Sequence, residues 1–579
     1  MAWMGELETQ EYPDKDLSGF DSGSMYKLFY KSSNRIGAAK SRAGCKTCKI
    51  RRVKCGEEKP ICRRCSSTGR KCEYEGTVTR SSALLSPYTV PPSYSLVTLP
   101  DSGYPERRAF EYYVQHASKG LAAGMNLDFW TKVAPQICRS EPAVWDAVNS
   151  ISVLYEHPDQ CLDLPLVKLQ PDKKRSLNQN QREALLWYSR AISSIQSQIV
   201  RGRVDPYVAL ISSVLFICIE AVQGRVTEAL QLYEKGVNLI VTLRHQVANG
   251  TLPSHRALLL EKTIIPLFLR LGSISLTIST VQVSQIFAFA NYDLNTPFVS
   301  LDAARTAISV LFSEATLLER EAFPYRSAPI RDLVAGAHLV VKQQSLQTQL
   351  DHWLQAYNNL SKNCARAEPM LLAYYAATSI YVCTCLSHQE LVYDSYMAEF
   401  TSIVENARLA LAASGAPNCV QPPFTFEMGL GLPLFLTAIK CRDPHLRRKA
   451  LGLLRQAPPI QAFFTCAPAA SLAEKCMHLE EDYSRSIALT RDPQASYPSP
   501  ECSISDYSPE PVGELSSLVP EEARICYSNV LRPQNGPSPG AEGGIAEDLH
   551  GSNQTLEVFR NHFDEVSNTW RIVSQCVPL

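Results

Sequence analysis

Six of the nineteen cysteines in this chain lie within 28 residues and repeat one spacing, Cys-x2-Cys-x6-Cys, twice. They are Cys45, Cys48, Cys55, Cys62, Cys65 and Cys72. Thiolate sulfur suits Zn²⁺, which takes four ligands in a tetrahedron. Two zinc ions need eight ligand positions, and six cysteines supply eight only if two of them bridge both ions. The duplicated spacing predicts that Cys45 and Cys62, the first cysteine of each half, are the bridges.

Other cysteine chemistries fit this stretch less well. A thioredoxin-like dithiol needs a βαβ setting, which the flanking sequence lacks, and iron–sulfur proteins use other spacings. A structural zinc knot that binds another protein stays open. Residues 1–30 contain no apolar signal segment, so we expect neither export nor a disulfide framework. The scattered cysteines, such as Cys218 and Cys383, lie in apolar runs and should pack as small hydrophobic side chains.

Charge is concentrated around the cysteines, although the whole chain has a formal net charge of zero. Residues 31–75 contain 14 Lys and Arg against 4 Asp and Glu, a formal charge of +10, so the remainder carries −10. A small basic block on a larger acidic body is typical of a nucleic-acid reader joined to another unit. The simpler alternative is a solvated basic face or a nuclear import signal.

Composition divides the chain into six segments. We expect a disordered segment over 1–40, a zinc-cluster domain over 41–76, a Ser/Pro-rich linker over 77–104, an all-helical domain over 105–490, an acidic Pro/Ser-rich disordered segment over 491–552, and an amphipathic helix over 553–575.

The long segment reads as helical because apolar residues recur at intervals of three and four. One such row is Val144, Val148, Ile151 and Tyr155. Asp205 and Pro206 predict the start of a helix that Gly224 ends, and Ser471 predicts a later start. No alternation of strands and helices is visible. The predicted fold is therefore mostly α: a small two-zinc cysteine cluster with two short helices, then a large all-α domain, with disordered linkers.

Membrane insertion and catalysis are both unsupported by the sequence. The apolar runs are too short or too polar to predict a membrane span. The helical segment contains no phosphate-binding glycine loop, no G-x-S-x-G and no H-E-x-x-H, so we do not expect an enzyme.

The cysteine stretch resembles a known family through more than its cysteines. The matching residues are Cys45-Lys-Thr-Cys48-Lys49-Ile-Arg51-Arg52-Val-Lys54-Cys55, then Lys59-Pro60-Ile61-Cys62-Arg63-Arg64-Cys65, and then Gly69-Arg70-Lys71-Cys72. On these residues the chain resembles the fungal binuclear zinc-cluster transcription factors, without a gap in the motif. Residues 105–490 resemble the regulatory region of that family more diffusely, in 106–113 and 140–144.

The resemblance implies that a short helix in the first half of the cluster enters the major groove of double-stranded DNA. By position, Arg51 and Arg52 match the base-reading pair, which suits CGG-type triplets because arginine can donate two hydrogen bonds to guanine. Pro60 matches the proline that sets the turn between the halves. The remaining basic residues are expected to contact phosphates; they are Lys46, Lys49, Lys54, Arg63, Arg64, Arg70 and Lys71.

Two features beyond the cluster stay open. Many relatives carry a coiled coil after the cluster, but prolines in the linker exclude sustained heptads there, which leaves a monomer or a homodimer formed by the body. The predicted C-terminal helix carries Leu556, Phe559, Phe563 and Trp570. It could bind a partner as an activation segment, or it could dock on the body and complete its core.

These observations predict a nuclear transcription factor that acts on RNA polymerase II genes, contacts the transcription machinery or co-regulators, and holds two zinc ions. A metabolic or secondary-metabolite gene cluster is one target that the resemblance suggests. The alternatives are a zinc-stabilised protein adaptor without sequence-specific DNA binding, and an enzyme with a zinc-cluster appendage.

Overall fold

The computed structural model describes most of the cysteine stretch and most of the long helical segment. The described residues are 45–72 except 46, 49–50, 52, 54, 59–60 and 70, then 103–123, 128–158, 178–278, 297–327, 333–363, 368–414, 421–491, 519–531, 555–564, 566 and 569–578. The cysteine stretch belongs to one compact unit, and all described residues from 103 onward belong to a second, here called the body.

Helices dominate the described residues, which confirms the predicted fold class. The cysteine unit contains α1 (Arg63–Ser66). The amino-terminal half of the body contains α2 (Tyr104–Tyr112), α3 (Ser118–Leu121), α4 (Ala134–Ile137), α5 (Pro142–Glu156), α6 (Gln179–Val200), α7 (Pro206–Val222), α8 (Val226–Ala248), α9 (Ser254–Leu259) and α10 (Ile265–Ile278). The second half contains α11 (Leu301–Ser327), α12 (Leu333–Asn363), α13 (Pro369–Thr384), α14 (Met397–Ser414), α15 (Gly431–Lys440), α16 (Pro444–Gln456) and α17 (Cys466–Arg491).

Helix ends follow local sequence rules where the sequence is explicit. Asp205 caps α7 by accepting a hydrogen bond from the backbone N–H two residues later, and Pro206 occupies the first helical position. Gly224 ends the helix in a left-handed conformation with φ +74°. Its N–H and that of Arg225 donate back to the carbonyls of Ala221 and Glu220, which satisfies the last turn. The predicted start and end of this helix are confirmed.

The core of the body lies between consecutive helices that pack on one another. Helices α5 and α7 are buried along almost their whole length, as expected for helices at the centre of a bundle. Aromatic side chains join distant helices: the Tyr233 ring stacks on Phe268, and its hydroxyl donates to the Phe268 carbonyl at 2.8 Å. Trp353 stacks on Tyr357 and donates through Nε1 to the carbonyl of Ala304 at 2.8 Å. No helix in the described part of the chain is long and apolar enough to cross a membrane.

A small sheet interrupts the second half of the body. Strand β1 (Phe424–Thr425) pairs in parallel with β2 (Ile460–Gln461), which pairs antiparallel with β3 (Phe464–Thr465). Next to β1, the buried carboxylate of Glu427 accepts two hydrogen bonds from Arg270 of α10, at 2.7 and 2.9 Å. This bidentate pair fixes the strand segment to the first half of the body.

A second sheet replaces the helix predicted over 553–575, so that prediction was wrong. Strands β4 (Ile525–Leu531), β5 (Thr555–Asp564) and β6 (Thr569–Pro578) form an antiparallel sheet with β5 in the centre. Phe559 and Phe563 fit a helical stripe, but Leu556, Val558 and Arg560 alternate at period two and are the buried face of β5. β-branched residues in β5 and β6 favour the extended conformation. The pairing of β5 with β6 and with β4, which is distant in sequence, selects a sheet instead of a helix.

Two further expectations are corrected by the body. Ser471 lies inside α17, where its hydroxyl donates to the Ala467 carbonyl, so it does not begin a helix. Part of the segment predicted as disordered over 491–552 is ordered: residues 519–531 include a helical turn (Glu521–Ala523) and β4, both packed on the helices of the body. The rest of that segment, the linker over 77–102 and residues 1–44 lie outside the described residues. The other segment boundaries stay predictions.

Buried charges attach residues 519–531 to the helices. Arg524 is fully buried and donates to both carboxylate oxygens of Asp394, at 2.8 and 2.7 Å. The Glu521 carboxylate accepts the backbone N–H groups of Glu390 and Leu391, each at 2.8 Å. Because these bonds are directional and charge-assisted, they specify one docking position for the segment.

Glu480 of α17 is the centre of the same network. Its buried carboxylate accepts hydrogen bonds from Arg442 at 2.8 Å, Arg447 at 2.6 Å and the backbone N–H of Ile525 at 2.7 Å. Burial alone would raise the pKa of this carboxyl, but the two guanidinium groups and the N–H group together lower the pKa to about 2. The charged form of Glu480 is therefore part of the folded state.

Replacing Arg524 should destabilise the body strongly. Arg524→Ala leaves the buried Asp394 carboxylate without its partner, which costs about 3–5 kcal/mol. The matched control is Arg485→Ala, since Arg485 pairs with Asp482 at 2.7 Å on the exposed surface and should contribute at most about 1 kcal/mol. Denaturant unfolding of the full chain measures both. Equal stability of the two variants would contradict the described attachment.

Acidification should destabilise the body as pH falls from about 4.5 towards 2. The pKa of Glu480 is lowered in the folded state, so its contribution is present above its ordinary value of 4.5 and is lost as pH falls through the folded value. The thermal midpoint of Glu480→Gln should depend less on pH across this range than that of the unaltered chain. Asp482→Asn, at an exposed position, is the control and should keep the original dependence.

Candidate zinc and DNA-binding site

The two halves of the cysteine unit have the same local design. In the first half, Thr47 and Cys48 are helical, and the Thr47 carbonyl accepts the N–H of Arg51 at 3.2 Å. In the second half, Cys62 precedes α1 in an extended conformation, and its carbonyl accepts the N–H of Ser66 at 3.0 Å. The sequence predicts a short helix after the first cysteine pair of each half; the observed turn begins one step earlier, directly after the first cysteine, and includes the second.

The six sulfur atoms converge at the centre of this unit. Five of the cysteines are buried and Cys72 is half-buried. The sulfurs form two groups of four, in each of which all members lie within 4.8 Å of one another. One group is Cys45, Cys48, Cys55 and Cys62, and the other is Cys45, Cys62, Cys65 and Cys72. The groups share Cys45 and Cys62, the two residues that the duplicated spacing predicts as bridges.

The sulfur spacing fits zinc and excludes disulfides. The Cys45 and Cys62 sulfurs are 3.7 Å apart, and each is also 3.7 Å from a member of its group, Cys65 and Cys48 respectively. A disulfide needs about 2.05 Å. A tetrahedron with Zn–S bonds of about 2.3 Å has edges of about 3.8 Å. The donor set and its spacing are therefore those of two zinc ions that share an edge of two thiolates.

Backbone N–H groups point at the sulfurs in the same way in both halves. The N–H of Cys45 donates to the Cys55 sulfur at 3.3 Å, and the N–H of Cys62 donates to the Cys72 sulfur at 3.3 Å. The N–H of Glu57 donates to Cys55 at 3.4 Å. These donors stabilise negative charge on sulfur, so they favour the thiolate that binds metal.

The packed thiols differ in how readily they lose a proton. Desolvation and the neighbouring thiols raise the pKa of Cys48 and of Cys65 to about 12. At Cys62, desolvation is outweighed by hydrogen bonds from the Cys65 N–H and from neighbouring thiols, which lower its pKa to about 6. Packed thiols cannot all ionise together without cations, so binding of two Zn²⁺ ions must displace protons.

Side chains other than the six cysteines join the two halves of the unit. The Thr47 hydroxyl donates to the Lys71 carbonyl at 2.8 Å, and the Arg51 guanidinium donates to the Thr68 hydroxyl at 3.4 Å. Gly69 follows α1 with φ +61°, a left-handed conformation that favours glycine. No sequence pattern identifies Thr47 and Thr68, because a hydroxyl that joins two halves has no characteristic spacing.

The structure describes four of the nine predicted DNA-contacting residues. Arg63, Arg64 and Lys71 are exposed, and Arg51 is half-buried beside Thr68. The others lie outside the described residues: Lys46, Lys49, Arg52, Lys54 and Arg70, together with Pro60. Exposed guanidinium and ammonium groups around a buried sulfur core suit contact with phosphates.

Comparison with known proteins identifies the family. Residues 43–81 match the fungal Zn(2)-Cys(6) binuclear cluster domain, and residues 108–476, more than half of the chain, match the fungal specific transcription factor domain. The chain belongs to the fungal zinc-cluster transcription factors. The cluster domain of this family binds two zinc ions, which agrees with the two sulfur groups. The family consists of transcription factors and not of enzymes.

Similarity to individual relatives is local. The chain is 74% identical over 34 residues to the aspercryptin biosynthesis cluster-specific transcription regulator atnN of Emericella nidulans, which covers 6% of each chain. It is 26% identical over 166 residues, 25% of this chain and 42% of the other, to the Zn(2)-C6 fungal-type transcription factor afumD of Aspergillus fumigatus. It is 39% identical over 70 residues to sterol uptake control protein 2 of Candida albicans, 12% of this chain and 10% of the other. Each match therefore covers less than half of the relative. No solved structure matches the chain.

Removing a shared sulfur should cost more metal than removing an unshared one. Cys62→Ala deletes a ligand from both groups and should leave the purified chain with almost no zinc. Cys55→Ala, the matched control, deletes a ligand from one group and should retain about one ion per chain. Elemental analysis of the purified full chain measures the zinc content. Equal zinc in the two variants would contradict the sharing of Cys62.

Proposed function

We propose that this transcription factor is nuclear, reads CGG-type triplets in double-stranded DNA and regulates genes transcribed by RNA polymerase II. The observation that carries the proposal is the pair of four-sulfur groups sharing Cys45 and Cys62, enclosed by a strongly basic sequence. All six cysteines, Cys45, Cys48, Cys55, Cys62, Cys65 and Cys72, are proposed as zinc ligands. The metal core would hold the two short helical turns at a fixed distance and orientation.

The charge balance supports contact with DNA. Six thiolates and two Zn²⁺ ions sum to −2, so the loaded stretch over 31–75 keeps a formal charge of about +8 from its +10. A cationic surface of this size attracts the phosphate backbone whatever the base sequence, and releases counterions on binding. Specificity must then come from side chains that reach base edges.

Two arginines are proposed to read bases. The N–H of Arg51 closes the helical turn of the first half, Arg52 is the next residue in the sequence, and the family resemblance places base contacts at both positions. A bidentate arginine contact to guanine O6 and N7 contributes about 1–3 kcal/mol of discrimination. The other basic residues are proposed to contact phosphates, among them the exposed Arg63, Arg64 and Lys71.

The relatives suggest the kind of gene that is regulated. Over 34 residues the chain is 74% identical to a protein named as a regulator specific to a biosynthetic gene cluster. On this likeness we propose a biosynthetic gene cluster as the target of this chain. The body would connect DNA binding to the transcription machinery or to co-regulators.

Base reading and phosphate contact can be separated by two substitutions in the full chain. Arg52→Ala should reduce the ratio of affinities for CGG-containing and scrambled duplexes by roughly 5- to 150-fold, the loss expected for a contact of about 1–3 kcal/mol. Lys71→Ala, the matched control, should weaken binding to all duplexes alike. It should also reduce the slope of the logarithm of the binding constant against the logarithm of salt concentration by about one, the value for one phosphate contact.

Sequence selection from random DNA, followed by titration of selected and scrambled duplexes, measures both effects. A selection that yields no preferred triplet would favour the protein adaptor and overturn the proposal. Retention of the full preference by Arg52→Ala would show that another residue reads the bases.

A further inference from the structure

Among the residues that the structure describes, strand β6 is a long outer strand of the C-terminal sheet. It pairs with β5 along all ten residues, Thr569–Pro578, and the register runs without a shift from Asp564 opposite Thr569 to Thr555 opposite Pro578. No other strand in the described ranges pairs with its outer side. Ser574, Gln575 and Cys576 are exposed. A strand at an edge presents a row of N–H and C=O groups to any strand that approaches it.

At the opposite edge of the same sheet, side chains from the helices bind backbone groups of β4. On β4, the N–H of Ile525 donates to the Glu480 carboxylate at 2.7 Å. The carbonyl of Cys526 accepts a hydrogen bond from Lys440 Nζ at 2.7 Å. The fold therefore satisfies backbone groups of one outer strand with buried side chains, while β6 extends along the outside.

Strand β6 lacks the usual features that prevent pairing between edges. Protected edges are short, or carry lysines, an internal proline or a bulge. In β6, Pro578 stands at the very end, and Arg571 is the one charged residue of the strand. Arg571 lies 3.8 Å from Asp564 of the neighbouring strand. The edge is therefore long, regular and close to electrically neutral.

We propose that β6 pairs antiparallel with β6 of a second copy of the chain. A twofold axis brings the outer ladder of one strand onto the same ladder of the other, so a single strand is its own complement. Because the charge of Arg571 is balanced by Asp564, self-pairing brings no row of like charges together. A strongly acidic or basic partner would find only one charged side chain on this strand, Arg571, which already has Asp564 as a neighbour.

The resulting dimer would contain one continuous six-stranded sheet, β4-β5-β6 followed by β6-β5-β4 of the second copy. It would bring two zinc clusters into one particle without a coiled coil in the linker. The association itself does not depend on DNA reading and is tested without DNA.

Sedimentation of the full chain over a range of concentrations tests the pairing. The unaltered chain should form dimers as its concentration rises. Ser574→Lys combined with Cys576→Lys places charges on two exposed edge positions and should raise the dimer dissociation constant by at least about tenfold. The control combines Val200→Lys with Val566→Lys, which adds the same charge at positions 87% and 98% exposed and should leave the constant unchanged.

Hydrogen exchange on the unaltered chain provides a second measurement that does not depend on the folding of a variant. Amides of residues 569–578 that point away from β5 should exchange faster at low concentration than at high concentration. Three results would each overturn the proposal. The chain could be a monomer at all concentrations, the edge variant could dimerise as tightly as the control, or the exchange rates in 569–578 could be the same at every concentration.

Discussion

The sharing of two thiolates between two groups of four is the interaction on which DNA reading depends. Residues 45–72 contain too few apolar side chains to bury a core, so metal–sulfur bonds must hold the two helical turns in place. Because Cys45 and Cys62 belong to both groups, neither half can move independently of the other.

In the body, buried ion pairs hold together segments that are distant in sequence. Arg270 with Glu427, Arg442 and Arg447 with Glu480, and Arg524 with Asp394 join segments that are far apart in sequence. Apolar packing tolerates sliding, whereas a buried bidentate pair has one geometry and a high cost when broken. These pairs fix where the small strands and the C-terminal sheet attach, and so they determine which edge of that sheet is covered.

Local rules predicted the cluster and many helices, and long-range pairing accounts for the errors. Cysteine spacing alone indicated the shared pair, and Asp205, Pro206 and Gly224 indicated both ends of one helix, because ligation and capping act over a few residues. The residues of β5 also fit a helical stripe, and only their pairing with β4 and β6 selects the strand. The hydroxyls of Thr47 and Thr68, and the carboxylate of Glu480, act on partners that no sequence period identifies.

The most direct test of the account is the metal content of the intact, unaltered chain. Native mass spectrometry of the chain purified with zinc resolves the number of bound ions. The account predicts two Zn²⁺ ions per chain. A folded chain that carries a single ion, or none, would contradict it.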